Sequence, residues 1–227
     1  MTQPLDSPLF KVRVRGELAC FTRPEMKVER VSYEVITPSA ARGIVEAILW
    51  KPGLQWVIRR IHVLAPVRWT GFRRNEVNEK ASSKLVERAM RGKGPLPVLL
   101  IDERRAQRHT LALRDVDYVI EAGFRMTGRA GAADNPAKFR DMFERRLARG
   151  QCYRMPYLGC REFVADVSRQ AEPFETLPDT RDFGWMLHDL EFGEDGCNFA
   201  HFFRARMERG VIEVPELHTA QRGGGVR

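Results

Sequence analysis

Phe10, Val12 and Val14 alternate with Lys11, Arg13 and Arg15, and this period of two predicts a strand with one buried face. Further on the period lengthens. Ala41, Ile44, Val45 and Ile48 are spaced as one face of a helix. Thr37 ahead of Pro38 supplies an N-cap and a proline at the first helical position, and Lys51-Pro52-Gly53 stops the helix. Leu54 to Trp69, rich in Val, Ile and Trp, predicts one long strand bent at Pro66. Another strand is predicted at 117–124. After the flexible stretch GRAGAAD comes a second helix, with Asn135 as N-cap, Pro136 at its first position, Phe139, Met142, Phe143 and Leu147 on one face, and Gly150 at its end. Residues 161–167 predict a fourth strand.

Strand, helix, strand, strand, helix, strand is the order of the split βαβ, ferredoxin-like arrangement that RNA-recognition motifs also use. The predicted class is therefore α+β, with a ferredoxin-like domain over 8–167. Residues 70–114 lack a clear period. They contain a short helical stretch at 79–90 and a Gly/Pro turn at 92–97, and are expected to form an arginine-rich arm inserted between strands. Three further strands, at 184–192, 198–207 and 211–214, predict a small antiparallel C-terminal sheet within a subdomain at 168–216. A flexible tail is expected at 217–227.

Composition narrows what these elements do. The chain has 227 residues, 43% hydrophobic and 30% charged, which describes a self-folding globular protein. The N-terminus does not read as a secretory signal and no segment approaches the roughly 18 apolar residues of a membrane span, so a cytoplasmic protein without a membrane partner is expected. The net charge of +8 is unevenly spread: residues 164–203 carry nine acidic and two basic side chains, leaving +15 on the remainder. Leu54 to Arg74 holds five arginines and no acid, and Lys138 to Arg154 six Lys/Arg against two acids. Trp56, Trp69, Phe72 and Tyr153 interrupt these runs. Cations among rings suit a polyanion whose phosphates meet arginine and whose bases stack. The plain alternative is a soluble basic surface.

The stretch GQCYRMPYLGCREF places Cys152 and Cys160 eight positions apart. A zinc clip would need a second close pair of Cys or His, which the chain lacks. A cytosolic disulfide is disfavoured by the reducing compartment. Small buried side chains flanking a turn are expected, with no metal and no cofactor.

Several stretches taken together, ACFTRPEMKVERVSYEV (19–35), TPSAARGIVEAILWKP (37–52), RRNEV (73–77), LRDVDYVIEA (113–122), DNPAKFRDMFERRLARGQC (134–152) and YLGCREF (157–163), resemble the Cas-five subunit of type I-C CRISPR systems, the Dvulg subtype. The likeness runs from about residue 8 to residue 214. It implies a protein that binds the repeat hairpin of precursor CRISPR RNA, cuts at its base, and stays on the 5′ handle. It implies, too, a place at one end of the Cascade complex, beside a backbone subunit of the seventh family and a large subunit of the eighth, with target DNA bound in the complex. Cutting in this family is metal-independent: a ribose 2′-hydroxyl attacks the adjacent phosphate, which calls for a base, an acid and a cation.

With the resemblance, RNA contacts are expected at Arg23, Lys27, Arg42, Lys51, Arg68, Arg73, Arg74, Arg105, Arg108, His109, Arg154 and Arg161. The family's cutting residues include an aromatic or histidine just before WKP and a Lys-His pair opening the second helix. Here those places hold Leu49 and Lys138-Phe139. Only the lysine matches, and Lys138 is the one catalytic candidate. It stands at the third position of a helix, where the dipole is already positive, so it calls for an anion such as a phosphate; the alternative is a solvated lysine. His109, Tyr153 or a lysine of lowered pKa remain as proton-transfer groups. Two other functions stay open: a structural Cascade subunit that holds the handle without cutting, and a basic RNA-binding module outside CRISPR.

Overall fold

The computed structural model describes residues 4–26, 28–98, 100–170, 173–192, 198–217 and 221–226. In chain order the elements are β1 (Phe10–Ala19), β2 (Arg30–Val31), α1 (Pro38–Ile48), β3 (Leu54–Val63), β4 (Trp69–Val77), α2 (Ser83–Met90), β5 (Arg105–Met126), α3 (Pro136–Ala148), β6 (Asp166–Arg169), β7 (Arg181–Phe192), β8 (Asn198–Glu208), β9 (Val211–Glu213) and β10 (Gln221–Val226). They build one mixed, sheet-dominated unit whose main path runs β10-β8-β9-β3-β5-β1-β6. β5 pairs antiparallel with β1 on one side and β3 on the other, and β6 closes antiparallel on β1.

The alternation in β1 does what its period requires. Phe10, Val12 and Val14 are buried and stand opposite Ala122, Ile120 and Tyr118. Lys11, Arg13 and Arg15 take the other face, where Arg13 donates to Asp117 at 2.7 Å and Arg15 to Asp166 at 2.8 Å. α1 and α3 cover the apolar face. Thr37 Oγ1 accepts from the Ala40 amide at 3.2 Å and Asn135 Oδ1 from the Lys138 amide at 2.9 Å, so both helices start at their predicted caps. Beneath them Phe143 lies 4.6 Å from Trp56 and 4.8 Å from Phe10, centroid to centroid, and Phe139 meets Phe124 edge-on at 6.3 Å. Such tilted and edge-on pairs add to the burial of large rings. Deleting the Phe139 ring would cost about 3–5 kcal/mol.

Four details differ from the sequence expectations. The long strand expected over 54–69 is two strands: β3 ends at Val63, and β4 starts at Trp69 against an earlier part of β5. Pro66, lacking an amide donor, falls in the break. The irregular arm is an ordered hairpin, since β4 pairs with β5 from Trp69↔Leu113 to Val77↔Arg105, with α2 between the two strands. The fourth strand is shorter and later, Asp166–Arg169. Residues 157–165 instead fold into a turn in which the Leu158 amide donates to the Phe163 carbonyl at 2.8 Å, and both side chains are buried. Finally, the C-terminal strands do not form a sheet of their own. β9 pairs with β3 at Arg60↔Glu213, Ile61↔Ile212 and His62↔Val211, and Gln221–Val226, expected as frayed tail, pairs with β8. An edge strand leaves donors and acceptors open, and further strands satisfy them.

His188, on β7, is buried and bonded through Nε2 to the Pro215 carbonyl at 2.7 Å. Burial holds its pKa below the ordinary 6.5, against the pull of that carbonyl and of Asp189. As pH falls below about 6.5 the unfolded chain takes up a proton that folded His188 resists, so stability falls. Urea unfolding between pH 7.5 and 5.5 is expected to show this loss, and His188→Gln to flatten it.

Candidate nucleic-acid interface

A helix leaves its last carbonyls without intrahelical partners, and at the end of α1 three different segments supply donors. Leu49 O accepts from Trp56 Nε1 at 2.8 Å, Ile48 O from Arg146 Nη1 at 2.7 Å, and Ala47 O from the Tyr153 amide at 2.7 Å. This junction fixes the WKP turn. Leu49 is buried, whereas the Trp50 ring is half exposed and Lys51 faces solvent. The loop before α3 closes over the turn: Thr127 Oγ1 donates to Pro52 O at 2.7 Å, and a Cβ on Gly53 would come within 2.7 Å of Ala130 Cα.

That loop delivers Asp134 and Lys138. Lys138 Nζ donates to Asp134 Oδ1 at 2.8 Å. The Asp134 carboxyl is held below its usual range first by this hydrogen bond, then by the Gly131 amide, with the charges of Lys138 and Lys51 adding to both. The anion at the start of α3 is therefore a carboxylate of the chain itself, standing where the sequence called for a phosphate. Lys138 holds this carboxylate directly and the charge of Lys51 acts on it from beyond contact distance, so a negative charge arriving here meets a net positive site.

The two segments marked by the resemblance thus meet in space. Lys138 bonds Asp134, Lys51 lies on the turn that this loop closes over, and exposed Trp50, Tyr153 and Arg154 belong to the segments joined at the same turn. Leu49 and Phe139 are also close by, but both are buried apolar side chains facing the core. The arrangement can hold phosphates and stack bases; it offers no histidine at either of the family's proton-transfer positions.

The other predicted contacts lie elsewhere. Arg73, Arg74, Arg105, Arg108 and His109 stand on the hairpin arm, with Arg73↔His109 and Arg74↔Arg108 in register. Arg73 has no ion-pair partner among the described residues. Arg74 bonds Thr110 at 3.1 Å and pairs with Glu162, and its Nη2 is buried without a partner. Arg105 pairs with Asp102, Arg108 donates to Asn78 at 3.2 Å, and the His109 amide is held by Glu29. Arg68 meets Asp115 at 3.5 Å, and Arg161 is exposed in the turn beside the arm's root. Arg23 pairs with Glu34 at 2.9 Å and lies over the Tyr33 ring. Arg42 is engaged internally, donating to Asp189 at 2.7 Å and to Glu46 at 2.7 Å. Lys27 lies outside the described residues.

Cys152 and Cys160 do not pair: Cys152 is exposed and Cys160 is buried beside Cys20. Cys160 Sγ accepts from Arg30 Nη1 at 3.4 Å and lies 3.8 Å from the Cys20 carbonyl. The Cys20 thiol and then Arg30 hold the Cys160 thiol below its ordinary pKa, against its burial. Asp134, Arg30 and Arg146 were not singled out from sequence. A carboxylate four residues before Lys138 was the one available signal.

Two solved structures have this architecture: one titled a CRISPR-associated protein (TM-score 0.69, 24% identity, covering 95% of each chain) and a functionally uncharacterized protein from Streptococcus mutans (TM-score 0.68, 22% identity, 95% of this chain and 96% of that one). The fold is thus one found among CRISPR-associated proteins. The model of the Cas5d family, described as CRISPR-associated protein (Cas5), matches residues 9–215, and the chain belongs to that family. It is 48% identical over 220 residues to the CRISPR pre-crRNA endoribonuclease Cas5d of Mannheimia succiniciproducens, covering 93% of this chain and 97% of that one. It is 41% identical over 239 residues to the protein of the same name from Thermus thermophilus, covering 94% and 96%.

The two cysteines are expected to behave differently. Cys152→Ser leaves urea stability unchanged, whereas Cys160→Ala removes a buried partner of Arg30 and lowers it by about 1–2 kcal/mol.

Proposed function

We propose that this chain binds the repeat hairpin and 5′ handle of CRISPR RNA, processes the precursor without a metal, and remains at one end of a cytoplasmic Cascade complex beside the backbone and large subunits, where target DNA is also held. The observation that carries this is the junction of the WKP turn with the start of α3, where Lys51, Lys138, Trp50 and Tyr153 gather. The names of the two relatives support the activity. The antiparallel order β6-β1-β5-β3, with α1 and α3 on one face, supports reading 8–167 as a ferredoxin-like unit carrying the arm.

In the proposed reaction an RNA phosphate takes the place of Asp134 on Lys138 Nζ. The lysine neutralises the charge that develops on the phosphoryl oxygens as the 2′-hydroxyl attacks and gives its proton to water; the bond from phosphorus to the 5′-oxygen breaks, that oxygen takes a proton from water, and a cyclic phosphate stays on the upstream strand. A positioned acid or base typically contributes about 10²–10⁴-fold. With Leu49 and Phe139 buried and unable to transfer protons, cleavage is slow. The same burial favours a second reading, a subunit that holds the handle without cutting. The two are separated by incubating the purified protein with its own repeat RNA.

Weak cleavage that chelator does not change, abolished by Lys138→Ala with RNA binding retained, is expected. Fast cleavage that survives Lys138→Ala would move the active centre elsewhere, and no cleavage under any condition would favour the holding role. Asp134→Asn is expected to tighten RNA binding about fivefold at low salt, the worth of ~1 kcal/mol between unit charges 4 Å apart in water. A filter-binding titration checks it.

A further inference from the structure

α1 and α3 cover the sheet face that carries Val12, Ile61 and Ile120. On the opposite face, away from the lysine junction, lies an open groove of about 820 Å³ lined by Arg60, Arg204, Arg206 and Arg209, with His62, Thr176 and the carboxylates Glu208 and Glu213 also in its wall. The sequence gives no warning of it, because the region just before is strongly acidic. Within β8 the side chains of Phe203, Ala205 and Met207 are buried, so Arg204 and Arg206 point outward together. Trp185, half exposed, sits directly across from Arg204 in the β7–β8 register. Cross-strand neighbours share a face, so a ring stands beside the arginine row.

Arg209 adds an independent sign. The turn joining β8 to β9 has Arg209 at φ 48° and Gly210 at φ 76°, a geometry that favours Asn-Gly and that a long side chain adopts at a cost. Its backbone is held in place from the strap that precedes β7. Thr176 Oγ1 donates to Arg209 O at 3.0 Å, the Arg209 amide to Thr180 Oγ1 at 3.1 Å and the Gly210 amide to Asp179 O at 2.9 Å. The guanidinium so presented has no ion-pair partner among the described residues. Arg60 is held by Glu213 at 2.7 Å and by Glu121 at 3.2 Å, whereas the other two arginines have weak holds. Arg204 meets Asp182 at 2.8 Å and Arg206 meets Glu208 at 3.5 Å, with both arginine side chains about two-thirds exposed or more. Such surface pairs are worth about 0–1 kcal/mol, so a phosphate exchanges for the carboxylate at little cost.

We infer that this groove is a second RNA site, which takes a short single-stranded segment of the bound RNA, its phosphates on Arg204, Arg206 and Arg209 and a base on Trp185. This rests on the RNA-binding function proposed above and adds a contact on the opposite face of the sheet. An acidic segment of a protein partner is the competing occupant. The row Arg204, Arg206, Arg209 favours nucleic acid because it comes with a stacking ring.

The test compares full-length repeat RNA with the same hairpin trimmed of its single-stranded flanks, bound to the wild-type chain and to Arg204→Gln/Arg206→Gln/Arg209→Gln. Thermal melting shows that the variant is folded. On full-length RNA the variant is expected to lose about tenfold or more in affinity and about 2 from the slope of log K against log salt, since each single-strand phosphate contact contributes about 0.7. On the trimmed hairpin it should match the wild type. Trp185→Ala should weaken only the full-length RNA. A folded variant that binds both RNAs as the wild type does would overturn the site while leaving the RNA-binding function intact. So would a variant that keeps RNA but loses a Cascade subunit in reconstitution. A wild-type chain that binds neither RNA would defeat the proposed function, and this site with it.

Discussion

β5 is the constraint on which the rest depends. Its 22 residues pair with β1 and β3 over the second half and with β2 and β4 over the first. One strand thus belongs to the core sheet and to the arm, and the change of partner falls at Arg114-Asp115. Asp115 has φ 54°, a left-handed conformation that short polar side chains tolerate better than most. The bend it makes, with the Arg114 amide donating to Arg68 O at 2.9 Å, sets the direction of the arm. Because the arm is rooted in the strand that carries Ile120 and Phe124 in the core, its arginines are placed by the packing of the whole domain.

The lysine junction depends on a second kind of closure. The end of α1 lacks the glycine cap that often satisfies final carbonyls. Its donors come instead from Trp56, Arg146 and the backbone at Tyr153, one each from β3, α3 and the segment after α3. The same three bonds that satisfy the helix therefore lock together the pieces that present Trp50, Lys51 and Tyr153. Asp134 then holds Lys138 in place at the start of α3.

Much of this was legible along the chain. The caps at Thr37 and Asn135, the stripes of α1 and α3, the alternation of β1 and the burial of Phe139 all follow from local rules, and the structure keeps them. The arm was legible only as an irregular arginine-rich insertion. Its strands carry charge on both faces, so they show no period of buried positions for a sequence pattern to reveal. The strand expected over 161–167 takes in the end of the turn because buried Phe163 and Ala165 alternate as in a strand whether or not the backbone pairs.

The sequence by itself determined the helices, the core face of the central strands and the basic character, because each depends on residue type and near neighbours. Only the tertiary structure decided which distant groups meet. It put Cys160 against Cys20 and Arg30 and away from Cys152, joined the C-terminal strands to the main sheet through β9, and aligned Arg204, Arg206 and Arg209 on a face of their own. The first two outcomes depend on strand register and hydrogen bonds between segments more than a hundred residues apart, and the third on the β7–β8 register and a turn held by Thr176 and Thr180. A one-residue change of register moves a side chain to the opposite face, and nothing in a local stretch of chain records which register the partner strand will adopt.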